Sequence, residues 1–137
     1  MLKLGKYSIG VGDRFGHEAQ AQLSAIFAAK QDGIDIVPIW NKSNREHTII
    51  GTEPKDVRIE VENAVKATSY SGEYHVDADH ISLKNVDWFM SSSDFFTLDV
   101  ADFTGKPAAD DDIRSFLKRH AALINCPLQI PGISAKM

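Results

Sequence analysis

Residues 34–68, "IDIVPIWNKSNREHTIIGTEPKDVRIEVENAVKAT", place a strand pattern ahead of a helix pattern. Residues 34–40 form a β-branched run that is typical of a buried strand. Pro54 suits the first turn of a helix, and the apolar residues that follow recur at helical spacing on one face. These are Val57, Val61, Ala64 and Val65. The stretch therefore predicts one unit of a strand followed by a helix.

The same order of strand and helix occurs three more times in the chain. The three further strand patterns are "YSIGVG" at 7–12, "EYHVDA" at 73–78 and "DFFTLDVAD" at 94–102. Helix patterns follow them, the first ending near Gly33, the second beginning at Asn85 as its expected cap, and the third being "DDIRSFLKRHAAL" at 111–123. Alternating strands and helices predict an α/β fold with a parallel sheet and crossover helices.

The short strands, each with polar residues at its carboxyl end, resemble four consecutive βα units of a (β/α)₈ TIM barrel. We therefore expect half of such a barrel over residues 1–125. Residues 126–137, which contain two prolines and a glycine, are expected to form a C-terminal tail or linker. Because eight units close a barrel, a half-barrel leaves its outer strands open, and we expect self-association through these sheet edges.

Composition excludes several classes of protein. The 137 residues have a net charge of −4 and contain no basic run, which argues against a nucleic-acid partner. No apolar run has the length needed to span a bilayer, and the first residues lack the apolar core of a signal peptide, so no membrane association is expected. The one cysteine, Cys126, is consistent with a reducing compartment, and the expected location is the cytoplasm.

Charged and polar side chains gather where the predicted strands end, which is where barrel enzymes place their active sites. They are Asp13, Arg14, Asn41, Lys42, Arg45, Glu46, Asp77, Asp79, His80 and Asp99. The structural alternative for an Asp or His in such a place is to cap the next helix. The glycines of "GVGDRFG" do not match the spacing of the dinucleotide fingerprint, so a nicotinamide site is not indicated.

The alternation of side chains along the third predicted strand makes the functional interpretation more specific. His75, Asp77 and Asp79 fall on one face, which points inward in a barrel, whereas Ala78 falls on the face that helices cover. Burying a carboxylate costs several kcal/mol unless it is paired, hydrogen-bonded or bound to a cation. Inward carboxylates at a strand end therefore indicate catalysis or metal binding.

Four motifs together resemble the tagaturonate epimerase family of bacterial hexuronate catabolism. They are "GVGDRFG" (10–16), "PIWNKSNREHTIIGT" (38–52), "VDADHI" (76–81) and "DFFTLDVAD" (94–102). The resemblance extends from about Tyr7 to about Thr104. It implies a metal-dependent isomerase that interconverts D-tagaturonate and D-fructuronate at C4. Members of the family are much longer, so the resemblance also implies that this chain is an incomplete portion and is inactive by itself.

Transferred position by position, the resemblance makes His80 a ligand of a divalent metal cation and Asp79 the proton acceptor. It also implies that six residues line a pocket for the sugar acid, and we add two acidic strand-end residues to that pocket. These substrate-binding residues are Asp13, Arg14, Asn41, Lys42, Arg45, Glu46, Asp77 and Asp99.

Two other functions remain open at this point. A sugar isomerase or aldolase of the same barrel type would use the same carboxylate and metal for different carbon chemistry. A half-barrel without catalytic activity would serve as a binding or assembly module.

Overall fold

Four parallel strands lie side by side in the order in which they occur in the chain, β1-β2-β3-β4. They are β1 (Ser8–Gly12), β2 (Val37–Ser43), β3 (His75–Ile81) and β4 (Phe95–Leu98). Residues opposite each other across the central pair include Asn41 with Asp77 and Ser43 with Asp79. The predicted α/β class and the four strand–helix units are confirmed in this computed structural model.

Helices follow each strand. They are α1 (Ala19–Gln31), α2 (Asn44–Ile50), α3 (Pro54–Thr68), α4 (Val86–Phe89), α5 (Asp110–Arg119) and α6 (Ala121–Ile124). The main core forms where α1 and α3 pack on one face of the sheet, with Leu23 and Val61 against Trp40 and Val76. Burial of these apolar side chains is the dominant stabilising contribution to this layer.

The structure describes residues 4–124 and Cys126. The chain divides into two compact units, Met1–Asp102 and Phe103–Met137. The predicted tail, 126–137, lies outside the described residues except for Cys126. In the second unit, α5 begins with the three aspartates at 110–112, as its charge pattern suggests, and none of its residues is buried. Within the described part of the chain, no helix combines the length and apolarity that crossing a bilayer requires.

Strand and helix boundaries differ from expectation around β2. The strand begins three residues later than predicted and continues to Ser43, so Asn41 and Lys42 lie within it. Residues 44–50, which lie between the predicted strand and the predicted helix, form the short helix α2. Ser43 and Glu46 form a capping box at its start, and Gly51 ends it in the left-handed conformation with φ of 69°. These two local signals fix a helix that is too short to show clear periodicity.

The ends of β3 and β4 also differ from the predicted ones. β3 runs through to Ile81, so Asp79 and His80 belong to the strand, and β4 ends at Leu98, immediately before Asp99. Ala78 is fully buried with Ile81 and Phe89 on the face that the helices cover, as expected. Since side chains alternate along a strand, His75 and Asp77 project from the opposite face.

The outer strands of the sheet lead to a prediction about assembly. No strand within residues 4–124 pairs with the outward edges of β1 and β4, and Ile9 on β1 is 46% exposed. Unpaired edges beside apolar side chains promote association, so we expect sedimentation velocity to show oligomers of the 137-residue chain. Ile9→Lys should lower the sedimentation coefficient by charging this edge. The control Ile59→Lys, at a residue on α3 that is 51% exposed, should not. A parent chain that sediments as a monomer would contradict the prediction.

Candidate active site

An open pocket of about 520 Å³ lies where the carboxyl ends of β2, β3 and β4 meet. Its volume falls within the ~300–1,000 Å³ range of small-molecule sites. The residues that line it are Ser43, Asn44, Arg45, Glu46, Asp79, His80, Asn85 and Asp99. Five of the residues singled out from the sequence are therefore brought together here: Arg45, Glu46, Asp79, His80 and Asp99.

The first wall of the pocket is the start of α2. The Ser43 backbone N–H and hydroxyl both donate to Glu46 Oε2 at 3.0 Å, and the Ser43 hydroxyl oxygen accepts from the Glu46 backbone N–H at 3.3 Å. Arg14 Nε lies 3.8 Å from Glu46 Oε1. The backbone hydrogen bond from Ser43 is the main cause that lowers the pKa of Glu46, against a smaller opposing effect of burial. Glu46 is thus an ionised carboxylate that organises the wall.

The second wall is formed by Asp79 and His80 on β3. His80 Nδ1 and Asp79 Oδ1 are 2.7 Å apart, and the Asp79 side chain is 17% exposed whereas that of His80 is 66% exposed. When Nδ1–H donates to the carboxylate, Nε2 is the nitrogen left to accept a proton or bind a metal. The pair therefore presents an oriented imidazole to the pocket.

His80 has a backbone conformation that is unusual for a residue with a side chain. Its φ is +55°, in the left-handed region, at the irregularity in the β3–β4 pairing between Ala78 and Ile81. This conformation costs a non-glycine residue about 1–2 kcal/mol. Such strain is concentrated at functional sites, where the surrounding structure maintains it.

Asp77 lies on the inner face of β3 but does not line the pocket. The Thr97 hydroxyl donates to Asp77 Oδ2 at 2.7 Å, whereas Oδ1 is buried without a hydrogen-bond partner among the described residues. Burial is the main cause that raises the pKa of Asp77; the Thr97 hydrogen bond opposes this, and the charge of Asp79 adds to it. Asp77 therefore binds its proton more tightly than an ordinary aspartate does.

Four more of the predicted substrate-binding residues lie outside the pocket lining. Arg14 reaches it only through its ion pair with Glu46. Asn41 lies beside Gly12 on β1, and Lys42, only 4% exposed, is near Gly16 and Glu60 on the side of the sheet that the helices cover. Adjacent strand residues project to opposite faces, so Asn41 and Lys42 cannot both face one pocket.

Asp13 also lies outside the lining, and its carboxylate accepts from the backbone N–H groups of Phe15, His17 and Glu18. Its partial burial would raise the pKa, but these backbone hydrogen bonds, with a further one from Gly16, leave it lowered overall. Asp13 thus organises the turn before α1, whereas the cap position of that helix is occupied by Glu18.

Sequence reasoning missed three residues of the lining: Ser43, Asn44 and Asn85. The spacing Ser43-x-x-Glu46 is a capping-box signal that could have identified the first two. Asn85 was expected to cap the following helix through its side chain. It occupies the cap position but makes no such bond, because its Oδ1 accepts from the Ser82 backbone N–H at 2.8 Å.

Behind the first wall lies His47, which is 1% exposed. Its Nδ1 is 2.9 Å from Thr52 Oγ1. Burial, reinforced by the charge of Lys42 and opposed by Asp56 and Glu46, lowers the pKa of His47 to about 4. The ring is therefore neutral at physiological pH.

The described residues do not by themselves assemble a full metal site. Within residues 4–124 and Cys126, no group of three or more His, Cys, Asp or Glu side chains is arranged to hold a metal ion.

Comparisons with known proteins point to one family. The family model described as tagaturonate epimerase matches residues 1–125. A crystal structure of the fructuronate-tagaturonate epimerase UxaE from Cohnella laeviribosi, complexed with two glycerols, has a TM-score of 0.61 and 23% identity, covering 82% of this chain and 23% of that one. A one-glycerol complex of the same enzyme gives a TM-score of 0.56 and 19% identity, covering 95% of this chain and 28% of that one. The chain thus spans about a quarter of the length of these proteins, and the likeness supports the fold. A search of curated proteins found no match.

The left-handed conformation of His80 leads to a prediction about stability. In urea unfolding, His80→Gly should be at least as stable as His80→Ala, because alanine pays about 1–2 kcal/mol for positive φ and glycine does not. The matched pair Lys66→Gly and Lys66→Ala, at an exposed position of α3, should show the reverse order by about 1 kcal/mol. The same order at both positions would contradict the left-handed assignment.

A second prediction concerns His47 and pH. Between pH 6.5 and about 4 the unfolded chain binds a proton at this residue and the folded chain does not. Its contribution is fully present above pH 6.5 and is lost as the pH falls toward 4, by up to about 3 kcal/mol. His47→Gln should therefore lose less stability than the parent between pH 7.5 and 4.5 in urea unfolding. An unchanged profile for His47→Gln would refute the prediction.

Proposed function

Because the chain belongs to the tagaturonate epimerase family, we propose that it provides one part of a sugar-acid epimerase that interconverts D-tagaturonate and D-fructuronate at C4 in hexuronate catabolism. The observation that carries the proposal is the family match, since residues 1–125 include every residue of the pocket. The position of that pocket, at the carboxyl ends of parallel strands, is the one that barrel enzymes use for catalysis.

The charges of the pocket support a substrate that binds together with a cation. Three carboxylates line it, those of Glu46, Asp79 and Asp99, against the single guanidinium of Arg45. Such an excess of negative charge would repel a sugar acid unless a cation balances it. The pocket chemistry is therefore consistent with the metal dependence that we propose.

The donor set fits a contribution to a divalent metal site. His80 Nε2 is left available by the Asp79 contact, and Asp99 offers carboxylate oxygens in the same pocket. A divalent cation there would supply Lewis-acid stabilisation of negative charge that develops on the sugar. Further ligands would come from outside the described residues, since these form no complete cluster.

Asp79 is the proposed proton acceptor. The hydrogen on C4 lies β to the ketone and is not acidic, so its direct abstraction is disfavoured. Removal of the C4 hydroxyl proton by Asp79 would allow the C3–C4 bond to break, leaving an enediolate and an aldehyde. After the aldehyde turns, re-formation of the bond from its other face gives the epimer, and Asp79 returns the proton to the new C4 oxygen.

The substrate carboxylate is assigned to the guanidinium groups at the pocket. Arg45 lines the pocket, and Arg14 is linked to it through Glu46. Guanidinium binds carboxylate through paired, charge-assisted hydrogen bonds.

We place the protein in the cytoplasm, because one cysteine in 137 residues is typical of a reducing compartment.

Titration of the ¹⁵N-labelled chain with D-tagaturonate and Mg²⁺ tests the proposed binding site. We expect amide shifts at Arg45, Asp79 and His80, and binding about tenfold weaker for the neutral ketose D-tagatose, which lacks the carboxylate. Arg45→Ala should remove this preference, and Arg114→Ala, at an exposed arginine of α5, should keep it. Equal affinity for both sugars, or shifts away from the pocket, would refute the assignment.

Proton NMR of the same samples measures turnover. We expect no D-fructuronate from the chain alone, because the residues that the structure describes form no complete metal site. Turnover that Asp79→Asn abolishes would show that this part of the enzyme suffices and would refute that expectation.

A further inference from the structure

His47 lies behind the first wall of the pocket and does not line the pocket. It follows Arg45 and Glu46 on α2, yet it is 1% exposed while they face the pocket. Its ring meets the rings of Trp88 and Phe89 on α4, with centroids 5.5 and 5.8 Å away. The residue therefore joins the helix of the first wall to the helix that begins after Asn85.

The contact continues to the second wall through Phe89. Phe89 is 1% exposed and packs with Ala78 and Ile81 of β3. These two residues flank Asp79 and His80 in the sequence. Protein interiors are close-packed, so a change in the volume of the His47 ring is transmitted to its neighbours. A continuous path of packed side chains therefore runs from α2 to the strand that holds the Asp79–His80 pair.

Thr52, in the turn that follows α2, fixes the orientation of the His47 ring. Thr52 Oγ1 lies 2.9 Å from Nδ1, and the Thr52 backbone N–H donates to the His47 carbonyl oxygen at 3.1 Å. Gly51, in the left-handed conformation, brings Thr52 back toward the helix. A side-chain contact and a backbone contact to the same residue restrict rotation of the imidazole.

We propose that His47 is a positioning residue, whose ring sets the spacing between the α2 wall, residues 44–46, and the β3 wall, Asp79 and His80. The role of that spacing in sugar-acid binding rests on the function proposed above. The spacing itself depends only on the contacts of the ring. His47 acts through its shape and its bond to Thr52, and it does not touch the substrate.

Backbone amide shifts of the ¹⁵N-labelled chain test the spacing. His47→Ala should move the amides of both walls, including Asp79 and His80, and His47→Phe should restore part of them, because a ring again fills the space but cannot bond to Thr52. Ile49→Ala, at an exposed residue of the same helix, is the control and should move neither wall. Shifts confined to α2 and α4, or a Phe variant as disturbed as the Ala variant, would overturn the proposal.

The pair Thr52→Val and Thr52→Ser serves if His47→Ala fails to fold. The valine variant keeps the shape of threonine but removes the hydroxyl, so it should move the amides of both walls. The serine variant retains the hydroxyl and should not. Identical spectra for the two variants would overturn the orienting role of Thr52.

Affinity for D-tagaturonate separates this inference from the proposed function. If the parent binds the sugar acid, His47→Ala should weaken binding about tenfold or more, and His47→Phe should recover part of that loss. Unchanged affinity in His47→Ala would overturn the effect of the spacing on the site. If the parent does not bind the sugar acid, the proposed function fails, and the amide shifts still decide whether His47 positions the two walls.

Discussion

The parallel register of β2 against β3 is the constraint on which the pocket depends. It places Ser43 opposite Asp79, so that the strand that leads into α2 ends beside the strand that holds the acid–imidazole pair. Parallel strands require crossover connections, and here α3 fills that connection while its apolar face packs on Trp40 and Val76. The pairing of β2 with β3 therefore determines both which residues meet in the core and which residues meet at the pocket.

The two aspartates of β3 carry the same carboxyl group in different surroundings. Asp79 has an imidazole partner at 2.7 Å and stands at the edge of the pocket. Asp77, two residues earlier, is buried with one oxygen unpartnered among the described residues, and its pKa is raised. Burial disfavours the charged form of a carboxyl group, whereas a suitable partner offsets that penalty. The same strand thus holds one aspartate at the pocket, paired with an imidazole, and one whose pKa is raised by burial.

The fold was predictable where the periodicity was long. The helix α3, with a proline at its start and four apolar residues on one face, was correctly placed, and so was the parallel sheet that α/β alternation predicts. Alternation could also have shown that Asn41 and Lys42 face opposite sides, but only once the end of β2 was known. The short helix α2 depends on a capping box and a glycine, which leave a weak sequence signal. The left-handed backbone at His80 could not be predicted, because it arises from the irregular pairing with β4.

That backbone conformation also bears on how relatives of this chain are to be recognised. Glycine and asparagine adopt positive φ more readily than other residues do, so either one could replace His80 without disturbing the strand. Such a replacement would remove the imidazole and leave the architecture intact. Shape-based classification would not detect the change, because the fold would be the same with or without the imidazole at the pocket.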